Sequence, residues 1–124
     1  MADTAGVRGL TAIAALLCAF VLLWPAIGGA TTTTAVGVSE REWSISLGRL
    51  KAPHGRITFY VTNFGQDDHN LRVRKRGYQY GSTGRIRSGG HATLRLTLKP
   101  GVYTLICGIP GHRQLGMVST LTVT

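Results

Sequence analysis

Between Cys107 and Met117 the chain reads CGIPGHRQLGM, which sets a thiol, an imidazole and a thioether at even intervals. Four residues separate Cys107 from His112, and four more separate His112 from Met117. Far upstream, His69 heads the run HNLRV and offers a second imidazole. A soft thiolate, two borderline imidazoles and a weak thioether suit copper, which must be held as both Cu(I) and Cu(II). Three strong donors near one plane, with a long axial sulfur, lie between the preferences of the two oxidation states. Little then has to move when an electron arrives. Zinc prefers a fourth strong ligand, and a thioether is a poor one.

Each donor alone has a plainer role. A cysteine at a strand end packs, a histidine in a Gly-Pro loop faces solvent, and a methionine at a strand start fills core. Together, three donor types at a workable spacing with a distant His on a strand favour a metal. His54, in a Pro-His-Gly turn, and His91, at a Gly-rich strand start, belong to no such pattern and are expected in solvent.

The elements that must position these donors are strands. Beyond Ala30 no 3.6-residue apolar period is sustained, whereas alternation is frequent. Trp43, Ile45 and Leu47 alternate with serines; Ile57, Phe59 and Val61 with Thr58, Tyr60 and Thr62; Leu71 and Val73 with arginines; Leu94, Leu96 and Leu98 with Thr93, Arg95 and Thr97. Val102–Cys107 and Met117–Val123 are β-branched-rich runs of strand length. Breakers at Gly48, 53–55, 63–65, 77–90 and 100–101 separate them. Six or more short strands at this spacing indicate an all-β antiparallel sandwich or barrel. The stretch from Gly77 to Gly90 is either a long irregular connection or hides two strands, around Tyr78 and Ile86. Tyr103 follows the tight Pro100-Gly101 turn, where it either bonds back across the corner or fills core. Cys107 then ends one strand and Met117 starts the next, so a single loop delivers three donors. Gly108, Pro110, Gly111 and Gly116 let that loop fold tightly, and the site is expected under one pole of the sandwich.

Composition bounds the alternatives. The chain has 124 residues, enough for one domain, and 14 Lys+Arg against five Asp+Glu give a net charge of +9. Two-domain redox enzymes and nucleotide-binding machines are excluded by size and by the lack of their glycine-rich signatures. From Leu10 to Trp24 the sequence is almost wholly apolar, with Arg8 ahead of it and Gly28-Gly29-Ala30 behind. This pattern reads as a secretory signal, or an uncleaved anchor through residues 10–27, over residues 1–30. Residues 31–124 are then an exported, periplasmic or extracytoplasmic domain. With Cys18 in the leader, Cys107 is that domain's sole thiol and cannot close an internal disulfide. The charge stays at +9 without the leader, which draws the domain to acidic or membrane-associated partners. Nucleic acid is not an expected partner, because the basic residues form no helical stripe or aromatic platform. The densest cluster is RVRKR at 72–76. The chain is expected to be a monomer.

On three segments the sequence resembles the cupredoxins, the small blue copper proteins: GRITFYVTNFG at 55–65, DHNL at 68–71 and PGVYTLICGIPGHRQLGM at 100–117. The gaps on both sides of His112 are similar to those of rusticyanin and sulfocyanin, and longer than the Cys-to-His gap of plastocyanin. The resemblance implies a Greek-key sandwich with one type 1 copper ion, His69, Cys107 and His112 being equatorial and Met117 axial. It implies that Asn70 braces the cysteine loop by hydrogen bonding. It also implies one-electron outer-sphere transfer between redox proteins, without bond chemistry and so without catalytic residues. The His112 ring edge would be the electron port, in an apolar patch of Ile109, Pro110 and Leu115 with Arg113 beside it. The competing functions are an exported copper carrier or sequestering protein, and a metal-free immunoglobulin-like interaction module. A copper oxidase is disfavoured, since His54 and His91 are too few to build a second copper centre.

Overall fold

The structure is a computed structural model and describes residues 31–124. The leader read at residues 1–30 lies outside the described residues. No helix among the described residues is long and apolar enough to cross a membrane.

Nine strands lie among the described residues: β1 Thr34–Arg41, β2 Ser44–Leu47, β3 Lys51–Ala52, β4 Gly55–Asn63, β5 Arg72–Lys75, β6 Tyr78–Ser82, β7 His91–Leu98, β8 Gly101–Ile106 and β9 Val118–Val123. They form a four-stranded sheet, β2-β1-β4-β7, and a five-stranded sheet, β3-β9-β8-β5-β6. The alternating apolar residues meet between the sheets. Ile57, Phe59 and Val61 of β4 face Leu105 of β8 and Leu121 of β9 in one core. A fully buried aliphatic or aromatic side chain of this kind contributes roughly 1.5–3 kcal/mol.

The fold is the all-β sandwich expected, but its sheets are mixed rather than wholly antiparallel. β1 runs parallel to β4 over seven residue pairs, and β3 runs parallel to β9. The reason is topological: between β1 and β4 the chain crosses to the other sheet through β3, so it returns running in β1's direction. Strand β1 itself escaped the sequence pattern, because Gly37 lies between Val36 and Val38 and Glu40 takes the next inward position. The Gly77–Gly90 stretch holds strand β6, and Ile86 forms a single antiparallel bridge with His69. Tyr103 does both jobs open to it. Its ring is fully buried and its hydroxyl donates to the Lys99 carbonyl at 2.8 Å, closing the turn into β8.

One pole of the sandwich collects the ends of β1, β4 and β8 and the starts of β2, β5 and β9. His69 precedes β5, Cys107 follows β8 and Met117 precedes β9, so each sits where a strand gives way to a loop.

Candidate metal centre

His69 is held by its backbone before its side chain matters. Its N–H donates to the Ile86 carbonyl at 3.0 Å and its carbonyl accepts from the Ile86 N–H at 2.7 Å. The loop that leads to it is clamped by Asn63, fully buried at the end of β4. The Asn63 amide donates to the carbonyls of Asp67 at 2.7 Å and Ile86 at 2.9 Å, while its Oδ1 accepts from the Gly65 N–H at 2.8 Å.

The loop from Cys107 to Met117 is closed on itself. Cys107 N–H donates to the Met117 carbonyl at 3.2 Å, and Met117 N–H donates to the His112 carbonyl at 3.1 Å. Gly116 has φ +121°, a conformation that glycine adopts without steric cost, and a Cβ there would press on the Trp43 carbonyl at 2.9 Å. Asn70 reaches across from the other side: the Gly108 N–H donates to its Oδ1 at 2.6 Å. Asn70 therefore ties the segment after Cys107 to the residue after His69.

These constraints bring His69, Cys107 and His112 to one point. His69 Nδ1 and His112 Nδ1 are 3.2 Å apart, Cys107 Sγ and His112 Nδ1 3.6 Å, and Cys107 Sγ and His69 Nδ1 4.0 Å. The point equidistant from the three atoms lies about 2.1 Å from each, within the range of metal–imidazole and metal–thiolate bonds. The donors therefore fit a small soft-to-borderline metal ion without rearrangement. Met117, fully buried, lies next to this triangle in the backbone hydrogen-bond network of the loop. Burial pushes the Cys107 thiol above its ordinary pKa; a bound metal offsets that by stabilising the thiolate.

The two imidazoles live in different surroundings. His69 is fully buried, and its Nε2 lies 3.0 Å from Glu42 Oε1. His112 is half-buried and packs edge-on against Trp43, with ring centroids 4.9 Å apart. Around it Pro110, Arg113 and Leu115 are exposed, whereas Ile109 turns half inward against the core. His54 and His91 are exposed and take no part in the cluster.

Glu42, Trp43 and Asn63 were not singled out from the sequence as site residues. Glu42 and Trp43 lie in the turn between β1 and β2, with no spacing relation to the ligands. The scarcity of acids was the available signal, since only four stand among the 94 described residues. Three of those four, Glu42, Asp67 and Asp68, lie in the loops of this pole, and the fourth, Glu40, ends β1 beneath it.

No protein-family model and no curated protein sequence matches the chain. Solved structures do. Auracyanin from the photosynthetic bacterium Roseiflexus castenholzii superposes with TM-score 0.58 at 22% identity, covering 77% of this chain and 99% of that one. Auracyanin A from Chloroflexus aurantiacus, described as a "blue" copper protein, gives TM-score 0.62 at 13% identity over 75% of this chain and 100% of its own. Rusticyanin from Thiobacillus ferrooxidans gives 0.63 at 19% identity over 74% of this chain and 77% of its own. At these identities the likeness shows the fold alone. The described residues have the cupredoxin fold, and the cluster of His69, Cys107 and His112 at its pole fits one type 1 copper ion.

Proposed function

We propose that the chain is an exported type 1 copper protein that passes single electrons between redox partners by outer-sphere transfer. The observation that carries this reading is the convergence of one thiol and two imidazole nitrogens on a point at bonding distance from all three. Copper, when bound there, supplies a one-electron couple whose two states tolerate the same soft, nearly planar donor set. His69, Cys107 and His112 would hold it, and the Met117 thioether would add a weak fourth donor.

The chain's own residues do the rest. Asn70, Asn63 and the Ile86 bridge keep the donors in place whether or not an electron is present, which limits reorganisation. Burial of His69, Cys107 and Met117 keeps water from the centre. The half-buried His112 is the one ligand ring open toward solvent, and with Pro110, Leu115 and Trp43 it forms the route by which an electron enters or leaves. A cleft lined by Arg74, Arg76, Thr104, Ile106 and Arg113 adjoins this loop. Its arginines favour an acidic partner, and that attraction speeds encounter and weakens with salt. A weak, small interface suits a carrier that must release each partner.

Titration of the purified protein with Cu(II), followed by visible absorption and EPR, tests the proposal. One equivalent is expected to produce an intense thiolate-to-copper band that ascorbate bleaches and oxidant restores. Stoichiometric binding without such a band, or rapid copper exchange without reversible redox, would favour a carrier instead. Failure to bind copper would leave a metal-free module.

A further inference from the structure

His69 presents its two nitrogens to two different partners. Nδ1 faces the Cys107 sulfur and His112 Nδ1, while Nε2 lies 3.0 Å from Glu42 Oε1, a residue 27 positions away. We propose that Glu42 is a positioning residue of the copper centre: its carboxylate fixes the His69 ring with the proton on Nε2, and its charge biases the bound copper toward Cu(II). The inference rests on the copper reading above and deepens it.

The placement of Glu42 is built rather than incidental. Its Oε1 also accepts from the Asp67 N–H at 2.8 Å, so one oxygen bridges the ligand ring and the loop that carries the ligand. Gly65 lies directly against the carboxylate, where any Cβ would collide with it. Asn63 in turn braces Gly65 and Asp67. Oε1 already accepts the Asp67 N–H, so the carboxylate meets the ring as an acceptor. An acceptor on Nε2 keeps the proton there and frees the Nδ1 lone pair for a metal.

The electronic consequence follows from charge. Cu(II) carries one more positive charge than Cu(I), so a fixed anion behind a ligand ring stabilises the oxidised state more. A carboxylate hydrogen-bonded to a ligating imidazole also raises its basicity, which acts in the same direction. A neutral amide at the same position would keep the hydrogen bond and lose the charge.

Glu42→Gln and Glu42→Ala separate the two parts. In copper-free protein, ring 15N shifts are expected to show His69 as the Nε2–H tautomer in the wild type and in Glu42→Gln, but as a tautomer mixture in Glu42→Ala. In copper-loaded protein at fixed pH, Glu42→Gln is expected to keep the absorption band. Its preference for Cu(II) over Cu(I) should fall about tenfold, a rise of about 59 mV in a one-electron potential. A Glu42→Gln potential equal to or below that of the wild type would overturn the role of the charge. A pure Nε2–H tautomer in Glu42→Ala would overturn the role of the hydrogen bond. Absence of the band from the wild type would instead overturn the copper reading itself, which keeps the two failures distinct.

Discussion

The two imidazoles of the triangle sit about as differently as two ligands of one ion can. His69 is fully buried, backbone-bridged to Ile86 and anchored through Nε2 to an anion, on the side of the pole that holds Glu42, Asp67 and Asp68. His112 is half-buried, leans on Trp43, and is followed by Arg113, with the arginine-lined cleft nearby. A protein with a net charge of +9 has thus placed three of the four acids among its described residues near one ligand, with exposed cations beside the other. The difference suits a division of roles under the proposed function. The enclosed side would set geometry and electronic balance, and the open side would meet partners.

The largest test removes what both sides share. Cys107→Ser is expected to abolish the intense visible band completely, because the band comes from the thiolate; colour that survives would reject Cys107 as a ligand and with it the triangle. The enclosed side can be probed next through Glu40, which faces inward on β1 opposite Asn63 and has neither carboxylate oxygen hydrogen-bonded. Burial pushes the Glu40 carboxyl from 4.5 up to about 7. The folded state therefore binds this proton more tightly than the unfolded one, and wild-type stability should fall as pH rises from about 4.5 to about 7. Glu40→Gln is expected to remove that slope. It should raise unfolding free energy at pH 8 by up to about 3 kcal/mol, with no gain at pH 4, in urea melts. A gain independent of pH would show that Glu40 is not the group responsible.

The remaining tests are smaller and bear on the exchange of electrons. Met117→Gln is expected to keep copper bound and lower the reduction potential, since an oxygen donor favours Cu(II). An unchanged potential in voltammetry would remove Met117 from the ligand set. On the open side, Arg113→Glu should slow oxidation by ferricyanide severalfold at low salt, the difference shrinking as ionic strength screens the charge. Equal rates at all salt concentrations would place the port away from Arg113 and blur the division between the two sides.

Much of this molecule was legible in its residues because the relevant contacts are local. Period-2 alternation in 57–61 and 94–98, with the β-branched run at 117–123, points to strands with one buried face, and a sandwich is how a chain of this length buries several such faces. Cys107, His112 and Met117 share one inter-strand loop, so their spacing alone constrains where their donors can go. The parallel pairing of β1 with β4, the meeting of Glu42 with His69, the packing of Trp43 on His112 and the orphaned Glu40 were decided only by the tertiary structure. Each joins residues distant in sequence, and no periodicity records which loop a crossover will lay beside another. Donor chemistry is thus a property of the residues and their local spacing. Which ligand is enclosed and which is exposed depends on how the two sheets close over the pole.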